Sequence, residues 1–132
     1  NAIKELLKKI KLKRKKEKFI KSDSNRPWGS FSNLGQGEGY KVKKLHILPG
    51  QKISLQKHFK RSEHWVVIQG IANITKGKKQ FKLRANESTF IKKGEVHRIE
   101  NNTKNNLVLI EVQTGNYLEE DDIYRFEDKY NR

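Results

Sequence analysis

Gln56, His58 and Glu63 follow one another at intervals of two and five residues, and a lone His97 comes after the glycine at 94. In a strand, residues two apart point to the same side, so Gln56 and His58 would present an amide oxygen and an imidazole together. A turn between Lys60 and Ser62 would return Glu63 to the same pocket, and His97 would close it. Two imidazoles, one carboxylate and one amide oxygen suit a catalytic divalent ion that keeps positions open for water or substrate. A single histidine is more often a satisfied core or surface residue. Four donors at this spacing are harder to dismiss.

Strands are what such a set needs, and the chain supplies them from Arg26 onward. Tyr40 to Leu48, Gln51 to Gln56, Trp65 to Gln69, Ile71 to Thr75, Gln80 to Leu83, Ser88 to Ile91, His97 to Glu100 and Leu107 to Gln113 all read as strands. Gly77-Lys78 reads as a hairpin turn, and Gly35-Gln36-Gly37-Glu38-Gly39 as a turn instead of a nucleotide loop. Many short strands with no helices between them predict an antiparallel sandwich or barrel. The tail from Tyr117, with Glu119, Glu120, Asp121 and Asp122 at its start, is expected to form a short helix or turns. Ile3, Leu6, Leu7 and Ile10 recur at helical spacing, after which the pattern dissolves into a lysine-rich run. The expected organisation is an amphipathic helix and basic linker over residues 1–24, followed by a barrel domain over 25–132. The apolar stripe could dock on the barrel, on a second copy or on an upstream domain. With no initiator methionine, the chain is expected to be processed or excised from something longer.

The 132 residues suffice for one domain with one hydrophobic core. No cysteine is present, which excludes disulfides, thiolate ligands and cysteine nucleophiles. No apolar run approaches membrane-spanning length and no signal-peptide core is visible, so a cytoplasmic protein with no membrane partner is expected. The sequons at Asn73, Asn86 and Asn101 are then read as chance. The net charge of +15 raises nucleic acid as a partner, but residues 1–21 alone hold ten Lys or Arg against two acids. Half the excess thus sits on a short arm, and the few aromatics do not interleave with it, which leaves nucleic-acid binding last among the readings. A basic surface would equally draw anionic small molecules into a cleft.

Gly50-x5-Gln56-x-His58-x4-Glu63-x6-Gly70 resembles the first cupin motif, with glutamine in place of the usual first histidine. Lys92-x-Gly94-x2-His97-x3-Asn101 resembles the second, with lysine for its proline and Asn86 for its leading glycine. RPWGSF (26–31), YKVKKLHILPGQKISLQKH (40–58), RSEHWVVIQGIA (61–72), NES (86–88), GEVHRIEN (94–101) and LIEVQTGNYLEEDDIYRFEDKY (109–130) narrow this further. Together they resemble the type II mannose-6-phosphate isomerases, over about residues 26–132. The resemblance implies an all-β double-stranded β-helix, a cupin jelly-roll barrel, with a short N-terminal helix. It also implies interconversion of mannose 6-phosphate and fructose 6-phosphate with a divalent metal, zinc by expectation. In many members of that family the domain follows a mannose-1-phosphate guanylyltransferase. A linked or separate guanylyltransferase is therefore an expected partner, and a homodimer the expected assembly. The Gly-rich nucleotide signature of the transferase is absent here.

That chemistry asks for a base at C2 and C1, a stabiliser of oxygen charge, and a phosphate pocket. The quartet Gln56, His58, Glu63 and His97 would hold the metal, and the neutral amide would leave the ion more electrophilic. For the base the choice is Glu111, which shares one face of the last long strand with Leu107, Leu109 and Gln113, where burial raises a carboxyl pKa. A structural ion pair at a strand end is the competing reading of Glu111. His64 should face away from Glu63 by alternation, but the nearby turn keeps it as an alternative catalytic residue. Arg61, two before Glu63, would bind oxyanion or phosphate, with Arg98, Lys57 and Lys92 as further phosphate candidates at the rim. Trp65 would pack beneath the metal, and Trp28 would anchor the arm. A non-catalytic metallocupin that binds a sugar phosphate or nucleotide sugar is the second functional reading.

Overall fold

A computed structural model describes residues 2–9 and 24–130. Residues 2–9 are helical, with Ile3, Leu6 and Leu7 exposed. The expected helix continuation through Ile10 and the basic linker lie outside the described residues. Eleven strands follow among those described: β1 (Ser24–Arg26), β2 (Gly29–Gly37), β3 (Tyr40–Ile47), β4 (Leu55–Lys57), β5 (Arg61–Gln69), β6 (Ala72–Lys76), β7 (Lys79–Leu83), β8 (Ser88–Ile91), β9 (His97–Glu100), β10 (Leu107–Gly115) and β11 (Tyr124–Glu127).

The strands form two antiparallel sheets, ordered β1-β2-β3-β10-β5-β8 and β11-β4-β9-β6-β7. From β3 on, the chain passes back and forth between the sheets, so strands far apart in sequence become neighbours. This is a double-stranded β-helix, the jelly-roll barrel expected from the motifs. Each strand alternates a buried and a more exposed residue. In β5, Arg61, Glu63, Trp65 and Val67 are buried, and in β10, Leu107, Leu109, Glu111 and Gln113. Only one face of a sheet meets the other, so period-two patterning decides which side chains go inside.

The inside has two zones. Ile47, Val67, Ile74, Ile91, Ile99, Leu107 and Leu109 are sealed from solvent and form an apolar floor. Burying one such side chain stabilises the fold by about 1.5–3 kcal/mol. Toward the other end the inward positions turn polar, with Glu63, Glu111, Gln113, His58 and His97 all buried.

Glycines make the corners. Gly70 has φ +90°, and a Cβ there would lie 2.6 Å from the Asn106 carbonyl oxygen. Gly50 and Gly94, read as tight turns, also have positive φ. Asn86, standing where the cupin motif has glycine, adopts φ 72°, a left-handed conformation that asparagine tolerates better than most residues. Asn101 is fully buried and donates from Nδ2 to the carbonyls of Ile47 (2.9 Å) and Asn105 (2.8 Å), tying the 101–106 turn to β3.

Three segments depart from expectation. The acidic tail does not become a helix: β11 pairs with β4, because β4 would otherwise be an open sheet edge. The stretch from Gly35 to Gly39 is a turn only at 38–39, and residues 35–37 extend β2 past an irregularity at Asn33/Gly35. Strand β5 begins at Arg61, four residues before the expected start, so the reversal falls at 59–60.

Candidate metal centre and adjoining cleft

The short β4 strand and the start of β5 set the first donors. Gln56 on β4 is the direct cross-strand partner of His97 on β9, so both side chains leave the sheet on the same side. The chain then reverses at 59–60, and Glu63 comes in from β5. His58, Glu63 and His97 each offer a donor atom, and these atoms lie within 4.8 Å of one another. Gln56 stands at their edge, its Oε1 accepting from Ser54 Oγ at 2.8 Å.

Both histidines are oriented from behind. His58 Nδ1 donates to the Asp122 carbonyl (2.6 Å), and His97 Nδ1 donates to the Glu95 carbonyl (2.8 Å). A carbonyl oxygen only accepts, so each Nδ1 carries the hydrogen and each Nε2 turns inward. His97 Nε2 is buried without a hydrogen-bond partner. His58 Nε2 sits 2.9 Å from Glu63 Oε1 and 3.2 Å from Arg61 Nη2. If His58 Nε2 carries a lone pair, it faces a carboxylate oxygen at contact; if it carries a hydrogen, it faces the Arg61 donor. A cation shared by the three donors resolves the conflict and gives His97 Nε2 its partner. The residues present therefore fit a divalent metal.

The electrostatics agree. Burial alone would raise the Glu63 carboxyl, but the His58 hydrogen bond and the positive potential of His97 and Arg61 hold it well below the usual range. Burial lowers the His97 imidazole against the pull of Glu63, favouring the neutral, metal-ready ring. Burial also opposes charge on Arg61, yet Glu63, Glu111 and Glu120 more than offset it and raise the guanidinium further. Arg61 Nε donates to Glu63 Oε1 at 3.0 Å, and its buried Nη1 has no partner.

Glu111 occupies the opposite electrostatic regime. Burial, then the neighbouring Glu63 charge, push its carboxyl up to about 8. Trp65 Nε1 lies between the two carboxylates, 3.0 Å from Glu63 Oε2 and 3.1 Å from Glu111 Oε2. Gln113 Nε2 donates to Glu111 Oε1 at 2.7 Å, leaving Gln113 Oε1 buried and unpartnered. Two carboxyls thus share one region with affinities for protons driven apart, the pattern of an acid–base site.

Beside the donors a cleft opens, walled by Gln56, Arg61, Glu111 and Gln113 and rimmed by Arg26, Lys43, Glu120 and Arg125. The structure thus gathers Gln56, His58, Glu63, His97, Arg61 and Glu111 in one place. It does not bring in the others. His64 alternates to the outer face, where it is exposed and its ring lies 4.6 Å from Phe90. Arg98 is buried, but its guanidinium is committed to the Ile53 carbonyl and to Glu127, which ties β11 to the barrel. Lys57, one residue from Gln56, points the other way, over the rings of Phe59, Tyr124 and Phe126. Lys92 is exposed in the loop before Gly94. Alternation accounts for His64 and Lys57, and Arg98 meets partners that no sequence pattern foretold.

Several contributors were not foreseen. Trp65 packs near the site as expected, 5.3 Å from the His97 ring, but its indole N–H also bridges two carboxylates. Asp122 supplies the carbonyl behind His58, and its carboxylate caps the backbone N–H groups of Phe59 and Lys60 at 2.9 Å each. Gln113 was legible as an inward residue of β10, but Asp122 had no local signal.

Fold and site together define a cupin with a candidate metal centre in its barrel. The chain belongs to the family described as mannose-6-phosphate isomerase C-terminal, whose model matches residues 13–128. It is 43% identical over 130 residues to the xanthan biosynthesis protein XanB of Xanthomonas campestris, covering 98% of this chain and 28% of that protein. It is likewise 43% identical over 130 residues to the mannose-1-phosphate guanylyltransferase ManC of Salmonella typhimurium, covering 98% and 27%. The alginate biosynthesis protein AlgA of Pseudomonas aeruginosa is 48% identical over 107 residues, covering 81% and 22%. The chain spans about a quarter of the length of these curated relatives. Among solved structures, a double-stranded β-helix protein from Klebsiella pneumoniae matches with TM-score 0.69 at 21% identity, covering 83% of this chain and 94% of that one. The capsular polysaccharide assembling protein CapF of Staphylococcus aureus matches with TM-score 0.71 at 20% identity, covering 80% and 32%. At those identities the structures speak to the fold alone.

Proposed function

We propose that this domain is a metal-dependent aldose–ketose isomerase interconverting mannose 6-phosphate and fructose 6-phosphate. One observation carries the reading: in a member of this family, a buried carboxyl with a pKa near 8 adjoins three convergent metal-type donors at a cationic cleft. A divalent ion such as zinc, held by His58, Glu63 and His97 with the Gln56 amide oxygen beside them, would supply a Lewis-acid pole for the sugar oxygens and draw Glu111 toward its ionised form.

The side chains divide the remaining work. Glu111 removes the proton from C2 of the open-chain aldose and returns it at C1, for which a pKa near the working pH is best. Trp65 Nε1 and Gln113 Nε2 hold its two oxygens, so the carboxyl is aimed before substrate arrives. Arg61, with Nη1 free in the cleft wall, donates to the oxygen on which negative charge develops. The apolar floor beneath excludes water from the intermediate. The product would feed GDP-mannose synthesis by a guanylyltransferase on the same or a separate chain, and among the described residues no helix is long and apolar enough to cross a membrane.

A coupled assay for fructose 6-phosphate, run on metal-analysed protein, tests this. Turnover that disappears on chelation and returns with added ion is the expected result. Tight binding of mannose 6-phosphate without turnover would overturn it in favour of a non-catalytic sugar-phosphate binder. One contact favours that second reading: Arg61 already occupies Glu63 Oε1 and approaches His58 Nε2, atoms a metal would also claim.

A further inference from the structure

The cleft has a second end. Its buried wall faces the donors, but its rim carries three cations, Arg26, Lys43 and Arg125, that neither the metal centre nor the proton transfer uses. Register explains why they meet. Lys43 on β3 lies directly across from Glu111 on β10, so it shares the inner face. Arg125 on β11 lies directly across from Gln56 on β4, which aims it at the same opening from the other sheet. Arg26 and Lys43 then approach a single ring, that of Phe31, at 4.8 Å and 4.5 Å from its centroid.

Lys43 is almost wholly buried, and its counter-charge comes from Glu120, an exposed residue on the loop before β11 that reaches in to pair with it. A buried ammonium needs such an anion. Neither arginine has a carboxylate within ion-pair distance among the described residues. Below them Arg61 Nη1 is buried, unpartnered and part of the same wall. Four cations thus surround a space that holds one exposed acid and one carboxyl favouring its neutral form. This arrangement is built for a dianion.

We propose that the rim is a phosphate subsite in which Arg26, Lys43 and Arg125 receive the phosphate monoester of an open-chain sugar, and Glu120 is the internal anion that the phosphate displaces. The proposal rests on the sugar-phosphate reading above for the identity of the sugar, not for the anion. Arginine forks match phosphate oxygens in pairs, and Lys43 adds a point charge from below. Once displaced, Glu120 returns to water at small cost because it is already largely exposed. The subsite lies at the opposite end of the cleft from Arg98, Lys57 and Lys92, and it sets the sugar chain running from the rim toward Glu111.

The test is direct binding to the full chain, with inorganic phosphate, mannose 6-phosphate and unphosphorylated mannose as probes in separate calorimetric titrations. Arg26→Gln and Arg125→Gln change exposed side chains, and circular dichroism checks that the barrel is retained. Each is expected to weaken inorganic phosphate and mannose 6-phosphate by about tenfold, the loss of one charge-assisted hydrogen bond. Glu120→Gln is expected to tighten both several-fold, and mannose is expected to be insensitive to all three. Unchanged phosphate affinity in the double arginine variant, or weaker binding in Glu120→Gln, overturns the subsite. The two readings fail separately. Phosphate binding with this dependence but no turnover leaves the subsite standing and removes the isomerase; turnover with a Michaelis constant indifferent to both arginines does the reverse.

Discussion

Replacing Glu111 by glutamine separates two properties that the structure joins in one carboxyl. Glutamine copies the shape of the neutral acid, and Gln113 can turn its unpartnered Oε1 to receive the new amide N–H. In the metal-free protein the wild-type carboxyl is pushed from an ordinary 4.5 up to about 8, chiefly by burial and then by Glu63. A folded state that binds its proton more tightly than the unfolded chain is most favoured below pH 4.5, and this advantage is lost as pH rises toward 8. At about 1.4 kcal/mol per tenfold in proton affinity, ionising Glu111 costs the fold at most about 5 kcal/mol. Glutamine cannot ionise. Urea denaturation of chelator-treated protein at pH 5, 7 and 9 should therefore show wild type losing about 4 kcal/mol relative to Glu111→Gln across that range. Parallel stability curves would refute the raised carboxyl and the burial argument behind it. In the metal-loaded enzyme the same variant should keep its ion and lose about 10²- to 10⁴-fold in kcat. A near-normal kcat would move the proton transfer to another group.

Other perturbations probe separate links in the chain of reasoning. His58→Ala and His97→Ala should each abolish stoichiometric metal while circular dichroism still reports a β-barrel; full metal content with normal turnover refutes the ligand set. Asp122→Ala removes the cap on Phe59 and Lys60 and should lower stability by about 1–2 kcal/mol. Because that loop orients His58, metal affinity should fall as well, by about 10- to 100-fold; unchanged affinity would mean that the Asp122 carboxylate does not hold His58 in place. Ile99→Ala, in the sealed floor, should cost about 2–5 kcal/mol in chemical denaturation, and a loss under 1 kcal/mol would mean the floor is looser than drawn. Gly70→Ala forces a Cβ against the Asn106 carbonyl at positive φ and should reduce Tm by several degrees.

Much of this protein was legible before any coordinates. Alternation along β5 and β10 placed Glu63, Trp65, Glu111 and Gln113 on inward faces and His64 on the outward one, because a strand's period of two needs no tertiary knowledge. Glycines at 50, 70 and 94, and asparagine at 86, marked corners that only residues tolerant of positive φ can turn. The donor types at 56, 58, 63 and 97 carried the metal hypothesis on chemistry alone.

What the sequence could not decide was long-range pairing. The acids from Glu119 to Asp122 read locally as a helix start, yet β11 completes an open sheet edge, and from there Asp122 reaches His58 and Glu120 reaches Lys43. Arg98 looked like a rim cation until Ile53 and Glu127 claimed it, and Arg125 looked like an ordinary tail residue until the register set it opposite Gln56. Local pattern determines which face a side chain takes, because that depends on backbone geometry within a few residues. Which distant group stands across from it is settled only when the sheets close, since hydrogen-bond register and charge pairing between far-apart segments are properties of the assembled barrel.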